Sequence, residues 1–435
     1  MMENISNVIY DVCIVGAGLT GSAAARWTSS QKDIKVCLVG PNEPLEHEWS
    51  DPSRTIFGAH YDQGRIVCEV ATTTAHQSWL VLAQRSILRY RELEKESGIN
   101  IFNEVGNVLI SAESFIKELL PKCPKTTKCF VGEELSRALP SFKPLDEGIA
   151  AIYDSCNAGY INPRPYIAAN KLLASQNGCE MIEDVVSEVR DSDDTDNADE
   201  VDDAERLSRR HLIARTKSGR LIRARRVLLC PGAFVNFEHL LPNGMEVDIS
   251  TNSESAVLVE VQDEDVERLS SLPCCGVEMK DRRDDRNSYI LPAIKYPDGK
   301  YYMKVGHGLD LNHSLVTNDD VTAWYKKRGD ISNSVQESLV SRLFKCLKDF
   351  QPKSIKTMTC VTTSTPTERF YCDMVTSKLG VIVGGNGMGA FVADEVGRMG
   401  ALMIAKGSWN HDLPAELFNL RYKGDREREE TATTA

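Results

Sequence analysis

The fold of this chain is decided by the stretch Val12-Cys13-Ile14-Val15-Gly16-Ala17-Gly18-Leu19-Thr20-Gly21, in which an apolar run meets a glycine-rich turn. The apolar run predicts a strand, and the small residues after the turn predict a helix. The spacing G-x-G-x-x-G between such elements is typical of dinucleotide-binding folds. Gly16 permits the tight turn, Gly18 lets the backbone approach a pyrophosphate, and Gly21 lets helix and strand pack closely. The sequence therefore predicts a dinucleotide at the helix N-terminus, where N–H groups and the helix dipole favour phosphate.

The acidic partner of the adenosine ribose is missing from its expected position. An acid about 20 residues after the glycines usually holds this ribose. Here the second predicted strand, Ile34–Val39, is followed by Gly40. Asn42 or Glu43 could take its place, so the turn indicates a dinucleotide and leaves the ribose contact open.

Length and composition indicate a two-domain globular protein. The chain has 435 residues, of which 42% are hydrophobic and 26% charged, and this length exceeds a single simple core. It shows neither a secretory signal nor a run of about 20 apolar residues, and its last residues are not a peroxisomal address. Thirteen scattered cysteines argue against a disulfide framework and indicate a reducing compartment. We expect a cytoplasmic protein with no membrane association and no metal site.

An acidic run dominates the net charge of −12. Residues 191–205 contain nine acids and no bases. Such a run is typical of a solvated, flexible loop, and binding of a partner is the alternative. The rest of the chain has no basic surface signature, so we expect no nucleic-acid partner.

Hydrophobic periodicity predicts the remaining elements. Helices are expected at 77–96, 166–175 and 334–348, strands at 102–110, 180–189 and 226–230, and a loop at 159–163. Alternating segments in 247–361 predict a second, mostly antiparallel sheet. A strand at 380–385 then leads through a second glycine turn into a helix that ends near Ala405.

Two glycine-rich strand–turn–helix units at opposite ends of the chain, with the strand and turn at Val227–Ala233, resemble the D-amino-acid-oxidase class of FAD-dependent oxidoreductases. More closely, the chain resembles monomeric sarcosine oxidase and the related N-methyltryptophan, pipecolate and fructosyl-amino-acid oxidases. The similarity covers almost the whole chain except the acidic insertion and the tail. It is strongest at Tyr90–Glu96, Arg225–Leu228, Thr359–Thr365 and Glu368–Phe370.

The resemblance implies an α/β fold in which a Rossmann-type FAD-binding domain is joined to a mainly antiparallel (α+β) substrate domain. The FAD-binding domain is expected from 1–88, 150–246 and 366–420, and the substrate domain from 89–149 and 247–365. Residues 421–435 are expected to form a flexible tail. The expected partners are a small-molecule amine and dioxygen, and the expected state is a monomer.

Cys360 and Lys304 carry the chemistry that the resemblance implies. In the family, a cysteine at the position of Cys360 forms a thioether to the 8α-methyl group of FAD; the alternative is that Cys360 merely packs. The family's oxygen-activating lysine lies near flavin N5 in a strand similar to that of Lys304. A cation there stabilises superoxide, and burial could lower its pKa; the alternative is a lysine that faces water.

The family's substrate-carboxylate ligands are replaced in this chain. Arg54 matches the first arginine of the family motif, but Phe57 stands where the second, carboxylate-binding arginine is expected. Met388 replaces the usual histidine, and Phe391 the usual lysine. Loss of these cations removes the charge-assisted pairing that favours a carboxylate, and the two phenylalanines offer an apolar surface that could bind a cation. An ordinary N-methyl amino acid is therefore a doubtful substrate.

The remaining contacts implied by the resemblance are weaker. Val186 is expected at the adenine, Tyr289 in the substrate pocket, and Ser50 and Arg54 near the pyrophosphate and flavin. Arg65 matches an arginine without an assigned role. The closing turn is expected to hold FAD through Gly385, Gly387, Met388 and Gly389.

These features together predict an FAD-dependent oxidase that takes hydride from the carbon next to a primary or secondary amine. The product would be an imine, hydrolysed to an aldehyde or ketone, with hydrogen peroxide released. Two alternatives remain open: a dehydrogenase on the same fold with another electron acceptor, and a flavin-binding protein without turnover.

Overall fold

The computed structural model describes residues 5–69, 77–192, 211–278, 288–307, 313–328 and 333–425. Most of the predicted acidic loop and residues 426–435 of the predicted tail lie outside these ranges. No helix within them is both long and apolar enough to span a bilayer.

Nine α-helices occur in the described ranges. They are α1 (Leu19–Ser29), α2 (Gln77–Ser97), α3 (Glu113–Leu119), α4 (Glu134–Ala138), α5 (Pro163–Gln176), α6 (Val266–Ser270), α7 (Asn318–Lys326), α8 (Asn333–Cys346) and α9 (Gly389–Lys406). The long helices predicted from periodicity are confirmed to within a few residues at each end.

The strands are β1 (Ile5–Val15), β2 (Val36–Val39), β3 (Arg65–Cys68), β4 (Phe102–Asn103), β5 (Asn107–Ala112), β6 (Lys128–Val131), β7 (Ile149–Asp154), β8 (Ala158–Ile161), β9 (Glu180–Ile182), β10 (Val186–Asp191), β11 (Leu212–Thr216), β12 (Leu221–Leu229), β13 (Ser250–Glu260), β14 (Cys274–Glu278), β15 (Ser288–Lys295), β16 (Tyr301–His307), β17 (Ser354–Ser364), β18 (Tyr371–Met374) and β19 (Leu379–Val383).

The first sheet has the predicted Rossmann character. Its order is β10-β11-β12-β1-β2-β9, and β19 also pairs with β12 and with β18. The central pairs β12·β1, β1·β2, β2·β9 and β12·β19 are parallel. Both glycine turns follow parallel strands of this sheet, β1 and β19, and ligands of open α/β sheets bind at the carboxyl ends of such strands.

The second sheet confirms the predicted antiparallel layer. Its order is β17-β13-β16-β15-β14-β5-β7-β6, in which β14·β5 is the one parallel pair among the described strands. Its strands come from 107–154 and 250–364. β7, which straddles the predicted domain boundary at residue 150, pairs in this sheet.

Two sequence predictions between these sheets were wrong. The single strand predicted over 102–110 is divided, because Gly106 takes a positive φ of 86° and turns the chain between β4 and β5. The loop predicted at 159–163 begins as β8, which forms a three-stranded sheet with β3 and β4. The turn residues there suggested a loop, but pairing on both edges makes this segment a strand.

The strand predicted over 180–189 is also divided. β9 pairs in parallel with β2 at one edge of the first sheet, whereas β10 pairs antiparallel with β11 at the other. Residues 183–185 therefore cross the end of the sheet. Asp184, Val185 and Val186 line the cavity described below.

The two helices that follow the glycine turns pack directly together. Arg26 of α1 forms a buried ion pair with Asp394 of α9, with 2.5 Å between Nη2 and Oδ2. Trp27 donates an indole hydrogen bond of 3.0 Å to the same carboxylate. This contact joins the last turn of α1 to the N-terminal half of α9.

Candidate active site

A cavity of about 550 Å³ lies where the glycine turns of the first sheet meet one face of the second. This volume is typical of small-molecule and cofactor sites. It brings together most of the predicted site residues, which are Gly16, Gly18, Phe57, Val186, Tyr289, Lys304, Cys360, Gly385, Gly387, Met388, Gly389 and Phe391. Their positions come from segments far apart in sequence.

The first glycine turn is shaped by close backbone contacts. Gly16 has a positive φ of 106°, which favours glycine. Gly18 is the N-cap of α1 and contributes no capping side chain. Gly21 does not line the cavity; a β-carbon there would collide with the carbonyl oxygen of Gly16, so glycine is needed for α1 to start beside β1.

The second glycine turn is tied to the strand that carries Cys360. Asn386 donates its backbone N–H to the carbonyl of Thr363 at 2.7 Å, and its side-chain oxygen accepts from the N–H of Thr365 at 2.8 Å. Gly387 has a φ of 73°, and Met388 is the N-cap of α9. The turn therefore holds the start of α9 against β17.

The missing ribose acid has a steric cause. A β-carbon on Gly40 would lie 2.6 Å from the backbone nitrogen of Ala17, so no acidic side chain fits there. Of the two substitutes, Glu43 is bound bidentately by Arg164, at 2.7 and 2.6 Å. The Asn42 amide oxygen is 3.4 Å from Lys171 Nζ. Neither lies in the described lining of the cavity.

Lys304 is fully buried against a carboxylate. Its side chain is 1% exposed, and its Nζ donates to Asp62 Oδ2 at 2.6 Å and to the Gly64 carbonyl at 2.7 Å. Tyr296 donates its hydroxyl to Asp62 Oδ1 at 2.8 Å, and Arg65 forms an ion pair with the same carboxylate. Burial, followed by the neighbouring Arg65 guanidinium, lowers the pKa of Lys304 well below its usual value.

Cys360 lies on the same face of the second sheet and is partly buried. Its Sγ is 3.7 Å from Nη2 of Arg65 and 3.7 Å from the carbonyl oxygen of Ala59. Trp324 donates an indole hydrogen bond of 2.8 Å to the Cys360 carbonyl and fixes the strand at this point. Arg65 thus connects the thiol to the Asp62–Lys304 pair.

The structure gives Arg65 a position that sequence reasoning missed. Arg65 lines the cavity, and so does Cys68 three residues later. Arg54 hydrogen bonds to the Ile56 carbonyl and the Tyr61 hydroxyl, each at 3.2 Å. Ser50 is exposed and bonds to a neighbouring carbonyl. In the described structure, Ser50 and Arg54 lie outside the cavity lining, and their predicted contacts with the cofactor stay predictions.

Aromatic side chains form part of the cavity wall. Phe57 stacks between Trp49 and Tyr325, with ring centroids 5.3 and 5.2 Å apart. The Tyr289 ring lies 5.4 Å from Lys304 Nζ. It occupies space left by Gly306, where a β-carbon would collide with the ring. An aromatic face beside an ammonium is a favourable cation–π arrangement.

His60 is a second lining residue that sequence reasoning missed. It follows the Phe57 segment and lies against Gly18 of the first glycine turn. Burial, with the nearby cations Lys171, Arg164 and Arg65, lowers the pKa of His60 to about 3. The imidazole is therefore neutral near pH 7, and no spacing motif in the sequence marks it.

The lining suits a dinucleotide such as FAD. Two helices, α1 and α9, begin at the cavity on Gly18 and Met388, neither of which provides a capping oxygen. Their first N–H groups are the donors that a pyrophosphate or a flavin carbonyl accepts. At Gly16 and Gly21 the backbone segments approach so closely that any side chain would collide with neighbouring backbone atoms. The absence of side chains there leaves space for a cofactor next to the backbone. Residues and shape thus fit the cofactor implied by the resemblance.

Part of this sequence is similar to that of a curated protein. Monomeric sarcosine oxidase from Arthrobacter sp. (strain TE1826) is 27% identical over 180 residues, which cover 40% of this chain and 42% of that relative. The chain thus spans less than half the length of that curated relative.

Solved structures share the fold over nearly the whole chain. The amino acid oxidase NikD, essential for nikkomycin biosynthesis, superposes with a TM-score of 0.72 at 16% identity, covering 95% of this chain and 98% of its own. Glycine oxidase from Geobacillus kaustophilus gives a TM-score of 0.68 at 15% identity, with 95% and 98% covered. Fructosamine oxidase (Amadoriase II) from Aspergillus fumigatus gives 0.68 at 14% identity, with 94% and 89% covered.

The family described as FAD-dependent oxidoreductases (DAO) matches residues 11–403, which include both glycine turns, Lys304 and Cys360. Because this match takes in most of the sequence, the chain belongs to the DAO family of FAD-dependent oxidoreductases.

Proposed function

We propose that this protein is an FAD-dependent amine oxidase that removes hydride from the carbon next to a primary or secondary amine. The product is an imine, which water converts to an aldehyde or ketone, and dioxygen is reduced to hydrogen peroxide. One observation carries the proposal: both glycine turns, Lys304 and Cys360 line a single cavity. The partial sarcosine oxidase match and the oxidase neighbours support it.

The chain's own residues provide binding, orientation and charge. Bound FAD would supply a hydride acceptor at flavin N5 and pass the electrons to dioxygen. The N–H groups at the starts of α1 and α9 would hold its pyrophosphate and flavin ends. Lys304 and Arg65 place positive charge at the cavity wall, where it stabilises negative charge that develops as oxygen is reduced.

We further propose that Cys360 would form a thioether with the 8α-carbon of the flavin. One S–H and one C–H bond would break as the C–S bond forms, and the two electrons released would pass through the flavin to dioxygen. The thiol lines the cavity on a strand that the second glycine turn holds in place. Acid precipitation tests this directly, because only covalent flavin stays in the pellet. A yellow pellet from the native protein and a colourless one from Cys360→Ala are expected. A colourless pellet from both proteins contradicts the linkage.

The lining favours an amine without a carboxylate. Phe57 and Phe391 line the wall at the positions where the family's carboxylate ligands were expected. Both described cations of the lining, Arg65 and Lys304, already share the Asp62 carboxylate. Glu254, which is 9% exposed, adds negative charge to the same wall. A substrate carboxylate would therefore meet aromatic and acidic groups.

Oxygen consumption with a panel of amines tests the reaction. Amines with and without carboxylates are compared in a peroxide-coupled assay, with Lys304→Met as the matched variant. We expect turnover that consumes oxygen, slower flavin reoxidation in Lys304→Met, and a preference for carboxylate-free amines. Flavin that amines reduce but oxygen reoxidises slowly would identify a dehydrogenase instead. If no amine reduces the flavin, the protein would instead be one that binds flavin without catalysing this reaction.

A further inference from the structure

The carboxylate of Asp62 is the centre of a buried network beside the proposed flavin site. Asp62 is 1% exposed. Its Oδ1 accepts from the Tyr296 hydroxyl at 2.8 Å and from the Gln63 N–H at 2.7 Å. Its Oδ2 accepts from Lys304 at 2.6 Å and pairs with Arg65. A carboxylate offers about four acceptor positions, and four donors surround this one, which leaves no room for a proton on Asp62.

The same network fixes the direction of the Lys304 ammonium. An ammonium has three N–H donors, and two of them are directed to Asp62 Oδ2 and to the Gly64 carbonyl. Gly64 can come this close because it packs against β15, where a β-carbon would lie 2.6 Å from Ile294 Cδ1. The third N–H is left for the cavity that Lys304 lines.

The charges around Lys304 explain why it needs this partner. Burial and the Arg65 guanidinium both disfavour the ammonium, whereas Cys360, Cys274 and Glu254 act weakly in its favour. The carboxylate of Asp62, in contact with both cations, leaves the Lys304–Asp62–Arg65 group with one net positive charge. Without it, the buried Lys304 ammonium would face the partly buried Arg65 guanidinium, and lysine is the one that can release its proton.

We propose that Asp62 is a positioning residue that keeps Lys304 protonated and aimed into the cavity. The inference rests on the proposed function in one respect only, which is that the Lys304 ammonium assists the reduction of oxygen by FAD. Asp62 also lines the cavity, and it acts on the reaction through its contact with Lys304. Sequence gives no sign of this, since the two residues are 242 positions apart.

Asp62→Asn tests the proposal, because it keeps the shape and removes the charge. The rate of flavin reoxidation by oxygen is followed against pH in the native protein, Asp62→Asn and Lys304→Met. We expect Asp62→Asn to be about tenfold slower near pH 8 and to regain the native rate as pH falls and Lys304 is protonated again. Lys304→Met should be slow throughout. A pH profile of Asp62→Asn that matches the native profile overturns the proposal.

Glu260→Gln is the matched control. Glu260 is a buried carboxylate, 3% exposed, that accepts from Lys300 at 3.0 Å at the far end of β13 from Glu254. Removing its charge breaks a lysine–carboxylate pair of the same sheet without touching Lys304. Its pH profile should match that of the native protein. If the pH profile of Glu260→Gln moved to lower pH as far as that of Asp62→Asn, loss of any buried carboxylate of this sheet would explain the effect, and the proposal would be overturned.

The proton on Lys304 can also be measured without turnover. In protein carrying ¹³Cε-lysine, the signal lost in Lys304→Met belongs to this residue. We expect this signal to titrate at higher pH in the native protein than in Asp62→Asn, because the Asp62 carboxylate favours the charged form of the lysine it contacts. A neutral lysine in native protein at pH 7 overturns the proposal even if Asp62→Asn fails to fold. If the titration behaves as expected but no amine reduces the flavin, Asp62 keeps its role and the oxidase function fails.

Discussion

Gly397 of α9 lies so close to α1 that a β-carbon on it would be 2.5 Å from the β-carbon of Ala23. The two helices that start at the glycine turns are therefore in backbone contact, one turn away from the Arg26–Asp394 ion pair. We therefore expect this contact to affect the spacing of the two helices whose first residues line the proposed FAD site.

Gly397→Ala should separate the helices and weaken cofactor binding. Overpacking a tight core contact costs about 1–3 kcal/mol of unfolding free energy. Urea unfolding measures the loss, and the flavin content of the purified protein should fall with it. Lys406→Ala, at an exposed position of the same helix, is the control and should change the unfolding free energy by under about 0.5 kcal/mol. Equal stability of native protein and Gly397→Ala would contradict the close contact.

Arg65→Lys and Arg54→Lys should differ in their effects on the flavin. Arg65 contacts Cys360 and Asp62 in the cavity, and lysine cannot reproduce its forked contacts. We expect about a tenfold slower reoxidation by oxygen in Arg65→Lys and less than about a twofold change in Arg54→Lys. Stopped-flow absorbance of the flavin measures both. The opposite order would show that Arg54, and not Arg65, acts on the flavin.

This pair of arginines shows where sequence reasoning stops. Arg54–Phe57 and Arg65–Cys68 have the same spacing, and a sequence pattern cannot show which of the two arginines lines the cavity. The glycine turns were predictable because strand, turn and helix are adjacent in sequence. The contact between Asp62 and Lys304 was not, because pairing of distant strands creates it.

The dependence on pairing between distant strands also explains the errors in predicting the fold. Periodicity identified β1, α1, α2 and α9, whose burial repeats regularly along one segment. It joined β9 to β10, since both are short and half apolar. Only their pairing separates them, because β9 pairs with β2 at one edge of the sheet and β10 pairs with β11 at the other. Local pattern predicts an element better than it predicts where that element ends.

Unfolding free energy should fall as the solution is acidified from about pH 6.5. Burial lowers the pKa of His60 to about 3 and that of His411 to about 4, from 6.5. Between these values the unfolded chain binds more protons than the folded one, so stability rises with pH up to about 6.5 and is then constant for these groups. The slope is at most about 1.4 kcal/mol per pH unit for each histidine.

Urea unfolding at several pH values measures this slope. His60→Gln should flatten it, because glutamine does not titrate. His47→Gln, at an exposed position, is the matched surface substitution and should leave the slope as it is in the native protein. An undiminished slope in His60→Gln would show that His60 is not held neutral in the fold.

Phe391→Lys should raise activity toward amines that carry a carboxylate. Phe391 lines the cavity in the first turn of α9, where a cation would face the substrate. We expect kcat/KM for a carboxylate-bearing amine to rise about tenfold relative to a carboxylate-free one, as one charge-assisted hydrogen bond allows. Phe391→Leu controls for loss of the ring and should not change that ratio. No change in Phe391→Lys would mean that residue 391 does not face the substrate.

The central claim is that FAD lies between the two glycine turns, beside Lys304. The visible spectrum of the purified protein, before and after addition of FAD and gel filtration, tests it most directly. The account predicts flavin absorbance that elutes with the native protein and is reduced in Gly397→Ala. Protein that elutes colourless, and remains so after incubation with FAD, would contradict it.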